Sequence, residues 1–181
     1  MWKKFCNWLL YKRMGWTKQV TIAHPQKFII CLAPHTSNWD FVLGKLYSSA
    51  EGMRINFLMK KEWFVWPLGY IFRSMGGIPV YRSKHTSMTD NLARDARESE
   101  SFRLCITPEG TRSANSDWKR GFLVIARKAD LPILLYGIDY KRKLIQCTQV
   151  YHAGEDIEGD LVNIKEYYKG FEGKRPQNFA L

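Results

Sequence analysis

The chain has 181 residues, of which 45% are hydrophobic, so a disordered segment is excluded and one compact domain with a single active site is favoured. A formal net charge of +11 favours anionic partners, among them acidic membranes, acidic carrier proteins and nucleic acid. The positive excess is N-terminal, because these basic residues precede the first acidic one, Asp40: Lys3, Lys4, Lys12, Arg13, Lys18 and Lys27.

Residues 1–16 are predicted to form an amphipathic basic helix, followed by a single domain over residues 17–181. Helical spacing puts four apolar side chains near one face, those of Trp2, Phe5, Leu9 and Trp16. Trp8 lies off that face. Such a helix suits a membrane interface. A terminal helix packed on the domain has the same pattern, and the sequence does not choose between the two.

The rest of the chain alternates strand-like runs with helix-like runs. This alternation predicts an α/β fold, with one domain built on a mostly parallel central sheet flanked by helices. Strands are predicted at residues 28–34, 55–59, 78–81, 103–107, 132–138 and 144–151. Helices are predicted from about Asn38 and near residues 62–74, 88–100, 118–129 and 162–171.

The cysteines and the apolar runs indicate a compartment. The four cysteines are Cys6, Cys31, Cys105 and Cys147. Because no pair of them has the spacing of a metal site or a redox motif, we interpret them as buried thiols in a reducing cytoplasm. A secretory signal is not visible. The longest apolar run, Trp63 to Phe72, is shorter than the ~20 residues of a membrane-spanning helix. We therefore expect a cytoplasmic protein that lies peripherally on the inner face of the cell membrane.

The first candidate site follows the predicted strand at residues 28–34, where the sequence reads His35-Thr36-Ser37-Asn38-Trp39-Asp40. A histidine at the carboxyl end of a strand occupies the position where α/β folds bind ligands. Asn38 is the expected N-cap of the next helix. Asp40, in the first helical turn, can orient one imidazole nitrogen while the other takes a proton, as in a general base. A loop histidine beside a capping aspartate has the same spacing.

Two further turns carry arginines. Residues 107–113 read T-P-E-G-T-R-S, in which Gly110 allows positive φ or a close backbone approach and Arg112 can pair with a phosphate. Residues 76–82 read G-G-I-P-V-Y-R and end in an arginine that can bind an anion. Taken alone, each turn also fits an ordinary loop with a solvated arginine.

Together, H-x-x-x-x-D, G-x-I-P-V-Y-R and P-E-G-T-R-S resemble the glycerophospholipid acyltransferase family, which includes lysophosphatidate acyltransferases. Residues 57–62 and 131–133 also fit the pattern of that family, and the resemblance covers about Phe28 to Tyr136. It implies an acyltransferase-like fold for residues 17–181. It also implies transfer of a fatty acyl group from acyl-CoA or acyl carrier protein to a hydroxyl of a lysophospholipid resembling 1-acylglycerol-3-phosphate, in phospholipid biosynthesis.

The resemblance also implies roles for individual residues. His35 is the implied general base, and Asp40 orients it and balances its charge. The residues implied to bind the acceptor, with the arginines on its phosphate, are Lys60, Arg82, Glu109, Gly110, Thr111 and Arg112. No metal or other cofactor is implied, because the acyl thioester is itself a substrate.

Four positions depart from the common family pattern. Pro34 replaces Asn, Tyr81 replaces Asp, Thr107 replaces Phe and Leu135 replaces a second Pro. The catalytic pair is retained, whereas the acceptor pocket is altered. The alternative acceptor is therefore another lipid hydroxyl, on an aminolipid or a glycolipid.

The charge and the aromatic residues predict further contacts. The basic N-terminus and a cluster rich in aromatic residues suit an anionic membrane. The cluster, which also fits a core helix, consists of Trp63, Phe64, Trp66, Pro67, Tyr70 and Phe72. A nucleic-acid-binding module is a remote alternative motivated by net charge alone, and without a supporting motif no nucleic acid is expected. A lipid-binding protein without catalysis is another alternative, which the His35–Asp40 pair argues against.

Overall fold

A computed structural model describes residues 1–80 and 85–181 of the chain. The strands are β1 Thr17–Val20, β2 Lys27–Ala33, β3 Asn56–Lys60, β4 Gly77–Val80, β5 Phe102–Ile106, β6 Ile133–Asp139, β7 Leu144–Cys147 and β8 Val150–Tyr151. The α-helices are α1 Trp2–Asn7, α2 Asn38–Glu51, α3 Leu68–Ser74, α4 His85–Glu98, α5 Gly121–Ala129 and α6 Ile157–Tyr167. A π-helix spans Trp8–Arg13, and 3₁₀ turns span Lys61–Trp63 and Pro176–Asn178.

Within these residues one sheet has the order β1-β7-β6-β2-β5-β3-β4, with β8 paired to β6. Strands β6, β2, β5, β3 and β4 are parallel, whereas β7 and β8 run antiparallel to β6. The predicted α/β fold with a mostly parallel sheet and flanking helices is confirmed. Because β2 lies between β5 and β6, the loops after these three strands meet at one edge of the sheet.

Both faces of the sheet are covered. Along β2, Phe28 and Ile30 join a cluster under α1 and α2, while Ile29 and Cys31 join the larger cluster under α4, α5 and α6. Successive side chains of a strand point to opposite faces, so a strand buried on both sides is apolar throughout. This is why the apolar run at residues 28–34 predicts a strand.

Three predicted elements have different bounds. Pro67 cannot continue a helix from its N-terminal side, so residues 62–74 form a 3₁₀ turn and then α3. Residues 144–151 form two strands, interrupted where the hydroxyl of Tyr167 accepts a hydrogen bond from Thr148 N. The last helix starts five residues earlier than predicted, because the Asp156 side chain caps it by accepting from Gly159 N.

Strand β1 was not predicted at all. Three of its four residues, Thr17, Lys18 and Gln19, are polar and exposed, so the strand lacks the apolar alternation from which strands are predicted. It pairs in parallel with β7 and forms the edge of the sheet.

The N-terminal segment is helical from Trp2 to Arg13, ending three residues earlier than predicted, and one side of it packs on the domain. Its contact with a membrane stays a prediction. Cys6 and Leu10 are buried against the α2 side of the domain, while the rings of Trp2, Phe5 and Trp8 are exposed and adjacent to one another. The predicted apolar face is wrong in two places, because Trp8 belongs to the exposed cluster and Trp16 is buried. Trp8 follows Phe5 by three residues, the ordinary spacing of neighbours on a helix surface, and Trp16 lies beyond the helical turns, which end at Arg13.

Two other sequence expectations concern the membrane and the thiols. No helix of residues 1–80 or 85–181 is both long and apolar enough to cross a bilayer. Cys6, Cys31 and Cys147 are buried free thiols, whereas Cys105 is only partly buried.

Candidate active site

His35 lies in the short loop between β2 and α2. Ser37 is the N-cap of α2, and its hydroxyl oxygen accepts a hydrogen bond from Trp39 N at 3.2 Å. The prediction of Asn38 as the N-cap is wrong by one residue, because Ser37 has the extended backbone of a cap and Asn38 is the first helical residue. The cap fixes the path of the loop beside His35.

Asp40 holds this loop from inside the helix. Its carboxylate is fully buried, and Oδ2 accepts hydrogen bonds from Thr36 N at 2.8 Å and Ser37 N at 2.9 Å. The hydroxyl of Tyr140 donates to Oδ1 at 2.7 Å. Three donors therefore replace the water that the carboxylate loses on burial.

The imidazole of His35 faces this carboxylate. Its Nδ1 is buried and lies 3.2 Å from Oδ2 of Asp40, while the side chain as a whole is 14% exposed. At this distance Nδ1 does not have the geometry of a hydrogen bond, and catalytic hydrogen bonds commonly tighten when substrate binds. An adjacent carboxylate favours the proton on Nδ1, which leaves Nε2 as the nitrogen that can accept one.

Glu109 joins the second motif to the first. Its Oε2 accepts a hydrogen bond from His35 N at 2.8 Å, and the side chain is buried. Burial raises the pKa of Glu109 to about 8, the negative Asp40 nearby adds to the increase, and the His35 N–H opposes it. Its other oxygen, Oε1, has no hydrogen-bond partner among the described residues. The observed contact of Glu109 is thus with the His35 loop, and its contact with an acceptor stays a prediction.

The turn after Glu109 is open to solvent. Gly110 has φ +67°, the left-handed conformation for which glycine is favoured, and Thr111 and Arg112 are exposed. Within the described residues, Arg112 has no carboxylate partner. The backbone oxygen of Glu109 accepts from Asn115 Nδ2 at 2.8 Å, which holds the turn beside the His35 loop. The structure therefore brings H-x-x-x-x-D and P-E-G-T-R-S together at one edge of the sheet.

A family model described as Acyltransferase matches residues 17–138, which is most of the chain and includes both motifs. The chain belongs to this acyltransferase family. The predicted resemblance is confirmed at that level.

The acyltransferase fold is also seen in a solved structure. The crystal structure of the 1-acyl-sn-glycerophosphate (LPA) acyltransferase PlsC from Thermotoga maritima matches with a TM-score of 0.56 and 17% sequence identity. The match covers 94% of this chain and 81% of that chain. A comparison with curated protein sequences gives no significant match. At this identity the structural likeness supports the shared fold.

One predicted residue of the candidate site lies farther along the sheet. Lys60 is exposed at the carboxyl end of β3, the strand next to β5, and so lies at the same edge as the Arg112 turn. Arg82 lies outside the described residues. Their roles toward an acceptor stay predictions.

Tyr140 borders the candidate site through Asp40, and the sequence analysis does not predict it. It directly follows β6, donates to Asp40 as described, and its ring meets that of Trp16 edge-on at a centroid distance of 5.2 Å. The position of Tyr140 in the sequence could have indicated this, because a polar residue directly after a parallel strand that neighbours β2 lies at the same end of the sheet as His35. The sequence alone does not identify β6 as that neighbour.

Replacing Glu109 by glutamine is expected to change how stability depends on pH. Because the pKa of Glu109 is raised from 4.5 to about 8, its stabilising contribution is complete below about pH 4.5 and is lost as the pH rises to about 8. Glutamine does not titrate, so the variant should gain up to about 1.4 kcal/mol of unfolding free energy per pH unit, relative to wild type, across this range. Denaturant unfolding at about pH 5 and about pH 8 measures it. A difference that does not change with pH would contradict the raised pKa.

Proposed function

We propose that this acyltransferase moves a fatty acyl group from acyl-CoA or acyl carrier protein to a hydroxyl of a lysophospholipid resembling 1-acylglycerol-3-phosphate, in phospholipid biosynthesis, with His35 as general base. The observation that carries the proposal is the 3.2 Å approach of His35 Nδ1 to the buried Asp40 carboxylate beside the Glu109–Arg112 turn. It leaves Nε2 to accept a proton, and the turn joined to the His35 loop through Glu109 carries the exposed cation of Arg112.

The proposed reaction has two steps. His35 Nε2 takes the proton of the acceptor hydroxyl while the hydroxyl oxygen attacks the thioester carbonyl carbon, and Asp40 stabilises the imidazolium that forms. The tetrahedral intermediate then expels the thiolate, which receives the proton from the imidazolium, and the ester is left on the acceptor. Removing the proton during attack matters because an alcohol is a weak nucleophile.

The most direct test is an assay of the purified protein with acyl-CoA and acyl carrier protein thioesters and a panel of lyso-acceptors. Release of free thiol is expected with a phosphate-bearing lysolipid. The four altered pocket positions support the second candidate, an aminolipid or glycolipid hydroxyl as acceptor. Thiol release with such an acceptor and none with lysophosphatidate would favour it, and hydrolysis without any acceptor product would contradict both.

Arg112→Ala is expected to lower kcat/KM for a phosphate-bearing acceptor by about 10- to 100-fold, because a charge-assisted hydrogen bond to phosphate is lost. For a neutral acceptor the loss should be under about threefold. Arg94→Ala is the matched control, since it removes the same charge from the exposed surface of α4. Equal losses on both acceptors would contradict a phosphate contact by Arg112.

We further propose peripheral contact with an anionic membrane through two exposed aromatic surfaces that flank α2. The first is the N-terminal cluster of Trp2, Phe5 and Trp8, with Lys3 and Lys4 beside it. The second contains exposed side chains before and within α3, namely Trp63, Val65, Trp66, Leu68, Tyr70 and Ile71. A core helix at this second surface is wrong, because Trp66 is 91% exposed and Tyr70 83% exposed. Aromatic and cationic side chains are suited to the headgroup layer.

Changing Trp2, Phe5 and Trp8 together to serine is expected to weaken binding to anionic vesicles by at least about tenfold, since exposed apolar area is lost from the interface. Activity on soluble short-chain acceptors should be unchanged. Deletion of residues 1–16 is less informative, because it also removes buried Cys6, Leu10 and Trp16. Val162→Ser on the exposed surface of α6 is the control. Vesicle sedimentation measures the binding, and unchanged binding by the triple variant would contradict this anchor.

A further inference from the structure

The segment Glu172–Arg175, near the end of the chain, lies against the loop that carries His35. The backbone oxygen of Glu172 accepts a hydrogen bond from Tyr140 N at 2.9 Å. Three residues later, Arg175 N donates to the hydroxyl oxygen of Thr36 at 3.2 Å. Thr36 directly follows His35, so this segment borders the catalytic loop on one side.

Gly173 allows this close approach. A Cβ built at position 173 would lie 2.7 Å from Thr36 Oγ1 and Cγ2 and 3.2 Å from Pro34 Cβ, too close for any other residue without displacement of the loop or the segment. The backbone at Gly173 is buried, whereas the next two residues, Lys174 and Arg175, are exposed. Glycine therefore lets the backbone that carries these two cationic residues lie directly against the His35 loop.

The segment has an unbalanced positive charge. Lys174 Nζ lies 4.4 Å from the ring centroid of Trp39, on the first turn of α2, and neither Lys174 nor Arg175 has a carboxylate partner in the described part of the chain. The adjacent acidic residue, Glu172, lies 3.4 Å from the Lys141 ammonium. An anion at this position thus finds two cations without carboxylate partners among the described residues, on a segment that contacts Thr36, the residue after His35.

The start of the segment that carries these cations is bonded on the other side of β2 from the Arg112 turn. The Arg112 turn follows β5, the Glu172 contact is made just after β6, and β2 lies between those two strands. Acyl transfer brings two substrates to one histidine, and under the proposed function both carry phosphate. With one cationic group on each side of the loop, the phosphates of the two substrates have separate binding positions.

We propose that Lys174 and Arg175 form a second phosphate-binding subsite, separate from the Arg112 turn, for a phosphate ester of one of the two substrates. This inference rests on the proposed function for the identity of those substrates. The phosphate comes either from the headgroup of the acceptor or from the nucleotide or pantetheine phosphate of the donor. Arginine supplies planar paired donors and lysine a compact charge, and both are suited to phosphate.

Equilibrium binding to the full-length protein tests this without turnover. The probes are CoA and its phosphate-free fragment pantetheine for the donor, and glycerol 3-phosphate and glycerol for the acceptor, measured by calorimetry near physiological ionic strength. Lys174→Ala and Arg175→Ala are each expected to raise Kd for CoA, for glycerol 3-phosphate or for both by about five- to tenfold. The probe whose Kd rises identifies the source of the phosphate. Pantetheine and glycerol should show no change.

Arg94→Ala is the control for the loss of one surface charge, and it should leave every Kd at the wild-type value. The subsite would be overturned by unchanged Kd values in the Lys174→Ala/Arg175→Ala double variant, by equal changes with the phosphate-free probes or with Arg94→Ala, or by no saturable binding of either phosphate probe to wild type. Absence of acyl transfer together with intact phosphate binding would instead count against the proposed function alone.

Discussion

Replacing His35 by alanine is expected to lower kcat by about 10²–10⁴-fold, the usual contribution of a positioned general base. The loss should appear in kcat more than in KM, because the proton is taken only as the acceptor hydroxyl attacks. Thiol release at saturating acyl thioester and acceptor measures it. The fold should be kept, since the loop is held by the backbone of His35 and by Ser37, Asp40 and Glu109 rather than by the imidazole.

His152→Ala is the matched control, because His152 is exposed, far along the chain and in neither motif. It should keep wild-type kcat. Thermal unfolding of both variants separates loss of catalysis from loss of fold. Full activity of His35→Ala with an intact fold would remove His35 as general base while leaving the family assignment in place.

The His35–Asp40 pair could be predicted because its contact is local. The two are five positions apart, and a strand end followed by a capped helix N-terminus brings them close together. The Glu109 contact was predictable only in part. The sequence places both motifs at strand ends, but it does not show that Glu109 is buried and accepts a bond from His35 N.

The contacts across the other side of the loop could not be predicted from spacing. Tyr140 is 100 residues from Asp40 and Arg175 is 139 residues from Thr36, so both contacts depend on which strand lies beside β2. The H-x-x-x-x-D and P-E-G-T-R-S motifs follow β2 and β5, so they do not indicate that β6 is the other neighbour of β2. Gly173 is likewise an ordinary glycine in the sequence, and only the packing against Thr36 and Pro34 reveals why a side chain is excluded there.

The N-terminal segment shows how one pattern serves two purposes. Side chains that stabilise the domain, Cys6 and Leu10, alternate with side chains that stay exposed, Trp2, Phe5 and Trp8. After the helix, Trp16 packs on Tyr140, which donates to Asp40. The segment proposed to contact the membrane is therefore joined to the proposed catalytic carboxylate by two side-chain contacts, and its position on the domain supports the site as well as the surface.

Asp40→Asn is expected to lower kcat by about 10²–10⁴-fold while unfolding free energy falls by only about 1 kcal/mol. The amide oxygen can keep the two bonds from Thr36 N and Ser37 N, and the amide nitrogen can face a rotated Tyr140 hydroxyl. What is lost is the negative charge that stabilises the imidazolium. Asp40→Ala should lose similar activity but about 2–3 kcal/mol more stability, because the buried N–H groups are then left without an acceptor.

Tyr140→Phe gives the intermediate case, because it removes one donor to Asp40 Oδ1 and leaves the charge, the cap and the imidazole in place. We expect about a tenfold loss of kcat, from a carboxylate held less firmly toward His35. The expected loss of kcat is smallest for Tyr140→Phe and larger for Asp40→Asn and His35→Ala. This order follows from a single requirement, a negative charge held at Nδ1 of His35 while Nε2 takes the proton. Wild-type kcat in Asp40→Asn would contradict that requirement, since shape alone would then be sufficient.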